Sequence, residues 1–428
     1  MNTRIYNAKI LTMEDGKELF DGELWVEGSK IIYAGPQKSK EELSSCGLTW
    51  DRQIDAAGNV LMPGFKNAHT HSGMTLMRSY ADDLPLQEWL EQKIFPLEAK
   101  MTGDDVALLT KLAILEYLTS GVTSIFDMYL TPETIAAACE ETGMRVVQVS
   151  GINKFGPTLE VMEERYHKLN GRHPLSSYRL GFHAEYTCTK ELLEQVAEMA
   201  HKYQAPIYTH NSETAVEAAG CIERYHMTPT AFLDSLGMFD FGGGGYHCVH
   251  VTDEDIAIFK KRDLSVVTNP GSNTKLASGV APVQKFLEAG VNVAIGTDGP
   301  SSNNCLDMFR EMFLVTGLAK LQNKDASAVD AMEVLKMATV GGAKAMGLPD
   351  CDVLAVGKEA DLIMIDLHQP NMQPLNNIEK NIVYSGSKQN VKLTMIHGKI
   401  LYEDGNYHIG EDPEDIYKEA NKILKRIG

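Results

Sequence analysis

Hydrophobic and polar positions follow two different rhythms along this chain. In the first 58 residues, short apolar runs at 4–13, 23–27 and 30–34 are cut by Asp15-Gly16, Asp21-Gly22 and Gly28-Ser29. That is the punctuation of strands joined by tight turns. The last 75 residues repeat the pattern, with runs at 360–366, 391–397 and 399–402 and turns at His397-Gly398-Lys399 and Glu403-Asp404-Gly405-Asn406. The closing stretch, 412–426, has helical spacing.

The middle alternates. Strand candidates fall at 60–65, 123–126, 145–149, 179–182, 206–209, 246–249, 265–268 and 291–295, with helical stretches between them such as 104–118, 191–203 and 281–288. Strands alternating with helices imply a parallel sheet with right-handed crossovers. Units of this size predict a (β/α)8 TIM-type barrel, whose functional groups collect at the C-terminal strand ends. A doubly wound open sheet is the alternative that periodicity leaves open. The expected organisation is α/β: a barrel over 59–353, and one composite β-sandwich domain built from 1–58 and 354–428.

Composition removes several functions. Acidic residues exceed basic ones by 58 to 40, a net charge of −18. Nucleic-acid binding needs clustered Lys and Arg, so that class is set aside. Seven cysteines stand singly at Cys46, Cys139, Cys188, Cys221, Cys248, Cys305 and Cys351. This pattern suits reduced thiols rather than a disulfide framework. The N-terminus shows no apolar leader, and no apolar run approaches the roughly 18 residues of a membrane span. The expectation is a cytoplasmic protein with a small-molecule substrate and no membrane partner. A homo-oligomer stays open.

Candidate chemistry sits at the strand ends. Pro63-Gly64-Phe65-Lys66-Asn67-Ala68-His69-Thr70-His71 places two histidines two apart. On a strand, residues i and i+2 face the same side, so both imidazoles can serve one metal. Further candidates end later strands: His183, His210 with Glu213 three residues on, His247 and His250, and Asp298. A lone histidine is by default a structural one. Their recurrence at predicted C-terminal strand ends changes that, because a barrel brings those ends to one mouth. Three histidines and a carboxylate suit one divalent ion per chain, zinc first and iron second. A metal at such a site lowers the pKa of water to about 7, and Glu213 or Asp298 can shuttle protons.

These residues carry a resemblance. The His-x-His segment, His210-Asn211-Ser212-Glu213, Tyr246-His247-Cys248-Val249-His250 and Gly296-Thr297-Asp298-Gly299 resemble the amidohydrolase superfamily. Segments at 80–86, 96–100, 269–276 and 301–304 are similar to its triazine-hydrolase/nucleoside-deaminase branch, above all to methylthioadenosine/S-adenosylhomocysteine deaminases. The resemblance implies a (β/α)8 barrel with a composite β-sandwich. It implies metal ligation by His69, His71, His210 and Asp298. It implies Glu213 as the acid/base and His247 as the residue that holds the attacking water. It further implies that Glu98 grips ribose hydroxyls and that His183 bonds the purine. Trp89 is a candidate pocket wall, or a core residue on its helix. No lysine ends strand four, so a carbamate-bridged pair of metals is not expected.

The implied activity is metal-dependent hydrolytic deamination of an adenine nucleoside: methylthioadenosine, 5′-deoxyadenosine, adenosine or S-adenosylhomocysteine. The same machinery could deaminate guanine or cytosine, or displace chloride from a triazine. A catalytically silent binding barrel is the alternative from another class. One departure bears on specificity. Relatives that accept S-adenosylhomocysteine carry arginines on the strand-three loop, where this chain reads Gln148-Val149-Ser150-Gly151-Ile152-Asn153-Lys154-Phe155-Gly156-Pro157-Thr158. Arg–carboxylate pairing is poorly copied by other residues. The expectation is therefore no preference for S-adenosylhomocysteine over substrates with neutral 5′ groups.

Overall fold

The computed structural model describes residues 1–84 and 86–428. Pro85, part of one segment behind the resemblance, lies outside the described residues. Strands β1 (Asn2–Ile10), β2 (Phe20–Glu27), β3 (Lys30–Gly35), β4 (Arg52–Asp55) and β5 (Val60–Pro63) open the chain. Then come β6 (Phe65–Thr70), β7 (Val122–Asp127), β8 (Arg145–Val149), β9 (Ser176–Ala184), β10 (Ile207–Asn211), β11 (Gly243–His247), β12 (Leu264–Thr268) and β13 (Asn292–Ile295). The chain returns through β14 (Leu362–Ile365), β15 (Val391–Ile396), β16 (Lys399–Glu403) and β17 (Asn406–Tyr407), and ends in the helix Pro413–Ile427.

Strands β6 to β13 form one parallel sheet in strict sequence order. Its two edges meet. The amide of Asp298 donates to His69 O at 3.0 Å. The Asn67 amide group bonds Thr297 at both ends, Nδ2 to Oγ1 at 2.7 Å and Oδ1 from the Thr297 N–H at 2.9 Å. The barrel is thereby closed by the residues that precede two candidate ligands. Helices return each strand to the next, and several start on threonine caps. Thr102 and Thr252 each build a capping box, with Asp105 and Asp255, which satisfies otherwise orphaned N–H groups.

The chain ends build the other sheet, in the order β17-β16-β15-β14-β5-β1-β2-β3 with β4 beside β1. It closes over a separate apolar core that includes Ile5, Leu24, Leu61, Leu362 and Leu393. The central link is β5, which pairs in parallel with β1 and antiparallel with β14. Here the structure corrects the sequence reading. The run at 60–65, expected as the first barrel strand, divides: Val60–Pro63 belongs to the composite sheet, and the barrel begins at Phe65.

A second correction concerns the sixth barrel strand, expected at 246–249. It runs Gly243–His247 and starts on three glycines. Gly243 has φ +128, and a Cβ there would come within 1.8 Å of Ile207 O. The neighbouring strand packs too close for any side chain, so the strand has no apolar periodicity to read.

Candidate metal centre and pocket

Each candidate side chain leaves the C-terminal end of a barrel strand. His69 is the fifth residue of β6, and His71 lies just beyond its end. His210 is next to last in β10, His247 closes β11, and Asp298 follows β13 by three residues. The backbone bends sharply there. Ser212, His247, Cys248 and Asp298 have φ of +52, +68, +49 and +58. Left-handed backbone costs a non-glycine residue on the order of 1 kcal/mol or more and collects at functional sites.

The donor atoms of His69, His210, His247 and Asp298 all lie within 4.8 Å of one another. His71 converges through the same carboxylate: its Nε2 is 3.0 Å from Asp298 Oδ1, which His69 Nε2 approaches at 3.5 Å. Three rings are held from behind. His71 Nδ1 bonds Met128 O at 2.5 Å, His210 Nδ1 bonds His183 O at 2.7 Å, and His247 Nδ1 bonds Asn273 Oδ1 at 2.7 Å. A donor bond at Nδ1 fixes the tautomer and turns the Nε2 lone pair inward, the usual support of a metal-bound histidine.

The protonation pattern fits a cation. Burial lowers His69 to about 3 and holds His210 well below its ordinary range, so both are neutral ligands at pH 7. Burial opposes the charged form of Asp298, yet contact with His69 and His71 holds it ionised. Burial would also lower His71, but the Asp298 carboxylate raises it to about 9; a metal ion would compete with that proton. Both nitrogens of His69 are buried without a hydrogen-bond partner. A buried polar group without a partner costs on the order of 1–3 kcal/mol, and metal ligation relieves it. The residues fit a divalent ion.

The cluster opens onto a cavity of about 190 Å³ that Trp89, Glu98, His183, Glu213 and Arg165 also line. Glu213 is buried; its Oε1 lies 3.9 Å from His247 Nδ1, and desolvation raises its pKa although His247 opposes the shift. Glu98 sits on the short helix Phe95–Glu98. Desolvation pushes it up to about 7, against Tyr129 and His71, and its Oε1 has no partner. Burial brings His183 down to about 4, and its Nδ1 reaches Thr187 Oγ1 at 3.2 Å. A larger cavity of about 670 Å³ adjoins, sharing Tyr186 and Leu276 and lined by Lys154 and Phe155.

The amidohydrolase family profile matches residues 60–401. The chain belongs to the amidohydrolase family. This amidohydrolase is 42% identical over 436 residues to the 5-methylthioadenosine/S-adenosylhomocysteine deaminase of Syntrophomonas wolfei subsp. wolfei, covering 100% of each chain. It is 39% identical to the 5′-deoxyadenosine deaminase of Methanosarcina acetivorans, covering 99% of this chain and 98% of that one. Among solved structures, a zinc-bound adenosine deaminase from Xanthomonas campestris superimposes with a TM-score of 0.92 at 33% identity, covering 99% of this chain and 98% of its own. The protein is a hydrolase acting on carbon–nitrogen bonds. Among the described residues no helix is long and apolar enough to cross a membrane.

Apart from His250, the named site residues meet at this mouth. His247 stands among the mutually close donors, within 4.8 Å of those of His69, His210 and Asp298. Trp89 lines the cavity and is also part of an apolar cluster with Ile94 and Leu97, so both of its expected roles coincide. His250 turns away to bond Ser278 O at 2.7 Å. Several contributors went unread in the sequence. Tyr129 packs against Gly73, where a Cβ would lie 2.3 Å from its ring. Ser272 and Ser302 bond Asp298, and Glu217 accepts the Ser212 and Glu213 amides at 3.0 and 2.7 Å. Glu217 was legible in principle: it is the third residue into a helix capped by Thr214.

Proposed function

We propose that this amidohydrolase deaminates adenine nucleosides hydrolytically, with one zinc ion per chain held by His69, His71, His210 and Asp298. One observation carries the reading: the donor cluster, Glu213 and Glu98 open onto a single cavity. A metal-type donor set alone fits many hydrolyses. A carboxyl group beside it that burial shifts toward protonation, and a half-buried second carboxyl with an unpartnered Oε1, fit a purine joined to ribose. The relatives named above support the same substrate class.

Zinc suits a nitrogen-rich donor set with one carboxylate. The ion supplies Lewis acidity that makes water acidic enough to attack near neutral pH. Everything else is done by side chains. Glu213, whose carboxyl burial shifts toward the protonated form, donates to purine N1 and so makes C6 electrophilic. His247, fixed by Asn273, orients the attacking water, and ionised Asp298 takes its proton. That proton passes to the exocyclic amine, which leaves as ammonia. The proton left on the C6 hydroxyl returns to Glu213, and C6 keeps the water oxygen as a carbonyl while N1 keeps the proton Glu213 gave it. Glu98 accepts from the ribose hydroxyls, His183 bonds the purine ring, and Trp89 walls the pocket.

The test is an ammonia-release screen over adenosine, 5′-deoxyadenosine, methylthioadenosine, S-adenosylhomocysteine, guanine, cytosine and melamine. Turnover confined to the nucleosides is expected. Activity on a free base or triazine alone would overturn the nucleoside reading. Metal analysis of active protein should give about one equivalent per chain; two equivalents, both needed for activity, would contradict the single ion.

A further inference from the structure

Asp298 is oriented by more than its histidine neighbours. Its Oδ1 faces His69 and His71, whereas its Oδ2 accepts two hydroxyls, Ser272 Oγ at 2.6 Å and Ser302 Oγ at 2.7 Å. Both serines are buried. With Oδ2 doubly engaged, the carboxylate presents a single oxygen to the centre.

The two serines come from different segments, Ser272 from the short helix Pro270–Lys275 after β12 and Ser302 from the turn after β13, and one carboxylate ties these segments together. Glu311 lies in the helix Met308–Asn323 and is fully buried. Its Oε2 accepts the Gly271 N–H at 2.8 Å, and its Oε1 accepts Asn303 Nδ2 at 2.8 Å. Gly271 immediately precedes Ser272, and Asn303 immediately follows Ser302. The same Asn303 amide also donates to Thr297 O at 2.7 Å, directly before Asp298. Position 271 leaves room for nothing larger, since a Cβ there would lie 2.4 Å from Glu311 Oε1.

We propose that Glu311 is a positioning residue of the metal centre: by clamping Gly271 and Asn303 it sets Ser272 and Ser302, and through them fixes Asp298 with one oxygen free for the ion. The inference rests on the reading of Asp298 as a metal ligand. Groups that orient metal ligands are typically worth 10–100-fold in metal affinity. The contacts of Glu311 reach the centre only through the two serines and the backbone beside Asp298. Its effect should therefore not add to theirs.

The experiment measures zinc affinity of the full chain by competition with a chromogenic chelator, with thermal melting as a check on folding. Ser272→Ala and Ser302→Ala should each weaken zinc by about 10–100-fold. Ser302→Thr, which keeps a hydroxyl, should restore most of the loss. Glu311→Leu, which removes both acceptors, should weaken zinc to a similar extent, and Glu311→Gln, which keeps one, by less. Combining Glu311→Leu with Ser272→Ala should cost little beyond the larger single effect, the sign of a shared route. Fully additive losses, or zinc affinity within twofold of the parent in the serine variants, would overturn the proposal. Should Glu311→Leu fail to fold, the combination is made with Glu311→Gln. Asp298→Ala separates the two readings: if it binds zinc like the parent, the ligand assignment fails; if it loses zinc while the serine variants do not, only the positioning role fails.

Discussion

The two ends of the barrel bury charge in opposite ways. At the N-terminal strand ends the buried Lys66 and Arg145 are both answered by protein. Lys66 Nζ donates to Gly64 O and Thr123 Oγ1, both at 2.9 Å. Arg145 forks onto Asp361 at 2.6 and 3.0 Å, and Asp361 Oδ1 also accepts the His397 N–H at 2.7 Å. At the C-terminal ends His69 and Asp127 are as deeply buried and Glu98 is half-buried, and all are incompletely paired. His69, Glu98 Oε1 and Asp127 Oδ1 have no partner, and four residues of the surrounding turns sit at positive φ. Groups satisfied by protein at one end hold strands together, whereas groups without a protein partner at the other are open to a ligand. Mutations should therefore separate: changes at the mouth cost function, and changes at the base cost stability.

The largest separation is expected at Glu213. Glu213→Gln is nearly isosteric but cannot cycle a proton, and general acid–base catalysis is worth roughly 10²–10⁴-fold. kcat should fall by about that factor with zinc content and melting temperature unchanged. Near-parental kcat would remove Glu213 from the proton path. The counterpart at the base is Asp361→Ala. It leaves Arg145 with the longer contact to Glu359 at 3.3 Å and with Pro174 O at 3.0 Å, and removing one partner of a buried pair costs up to roughly 3–5 kcal/mol. Chemical denaturation should show that loss, while kcat per folded molecule stays within about twofold; a large loss in kcat with stability intact would erase the distinction between the two ends.

Specificity comes next in size. The loop after β8 carries no arginine over 150–158, and its Ser150 and Pro157 line the pocket. The structure brings a guanidinium there from the following helix, Leu159–Leu169. Arg165 donates through Nε and Nη2 to Glu133 at 2.9 and 3.3 Å, which leaves Nη1 outside the pair. A hydrogen bond to a charged group is worth about 1.5–3 kcal/mol. If Arg165 meets an acidic 5′ tail, Arg165→Gln should lower kcat/KM for S-adenosylhomocysteine by about tenfold or more and leave methylthioadenosine unchanged. Equal losses on both would return Arg165 to its ion pair with Glu133, and a selective loss in Lys154→Gln instead would move the tail into the adjoining cavity.

What the sequence revealed follows the same division. The mouth was legible because its residue types are unusual at strand ends: His69, His71, His210, His247 and Asp298 mark their strands by chemistry rather than by period. Pairing partners were not legible. The apolar run from Val60 continues through Pro63-Gly64 without a change of rhythm, and only long-range pairing with β1 and β14 assigns its first half to the other sheet. Gly243, Gly244 and Gly245 carry no pattern at all. Arg165 and Glu311 were missed for a further reason. A charged residue within a helix reads as a solvated face, and only tertiary packing turns one into a pocket and buries the other.

The smallest effect concerns Glu98 and tests the comparison through pH. Its ordinary pKa is 4.5, and burial pushes it to about 7 in the folded protein. Between those values the folded state keeps a proton that the unfolded chain releases. The associated stability is therefore complete below pH 4.5 and lost as pH rises through 7. At pH 8 the parent protein holds a buried, partly unpaired carboxylate, whereas Glu98→Gln is neutral at every pH. The variant should melt higher than the parent at pH 8 by about 1–3 °C, a shift of the size that roughly 1 kcal/mol produces in a large chain, and the gain should shrink toward pH 5. If Glu98 accepts ribose hydroxyls as proposed, the same variant should lose nucleoside turnover far more than any residual activity on free bases, because only nucleosides bring those hydroxyls. A gain in stability joined to a loss of function is what a group held unpaired for a ligand must show. If Glu98→Gln instead destabilises the protein equally at pH 5 and pH 8, Glu98 is a structural residue like Asp361, and the contrast between the two ends does not extend to it.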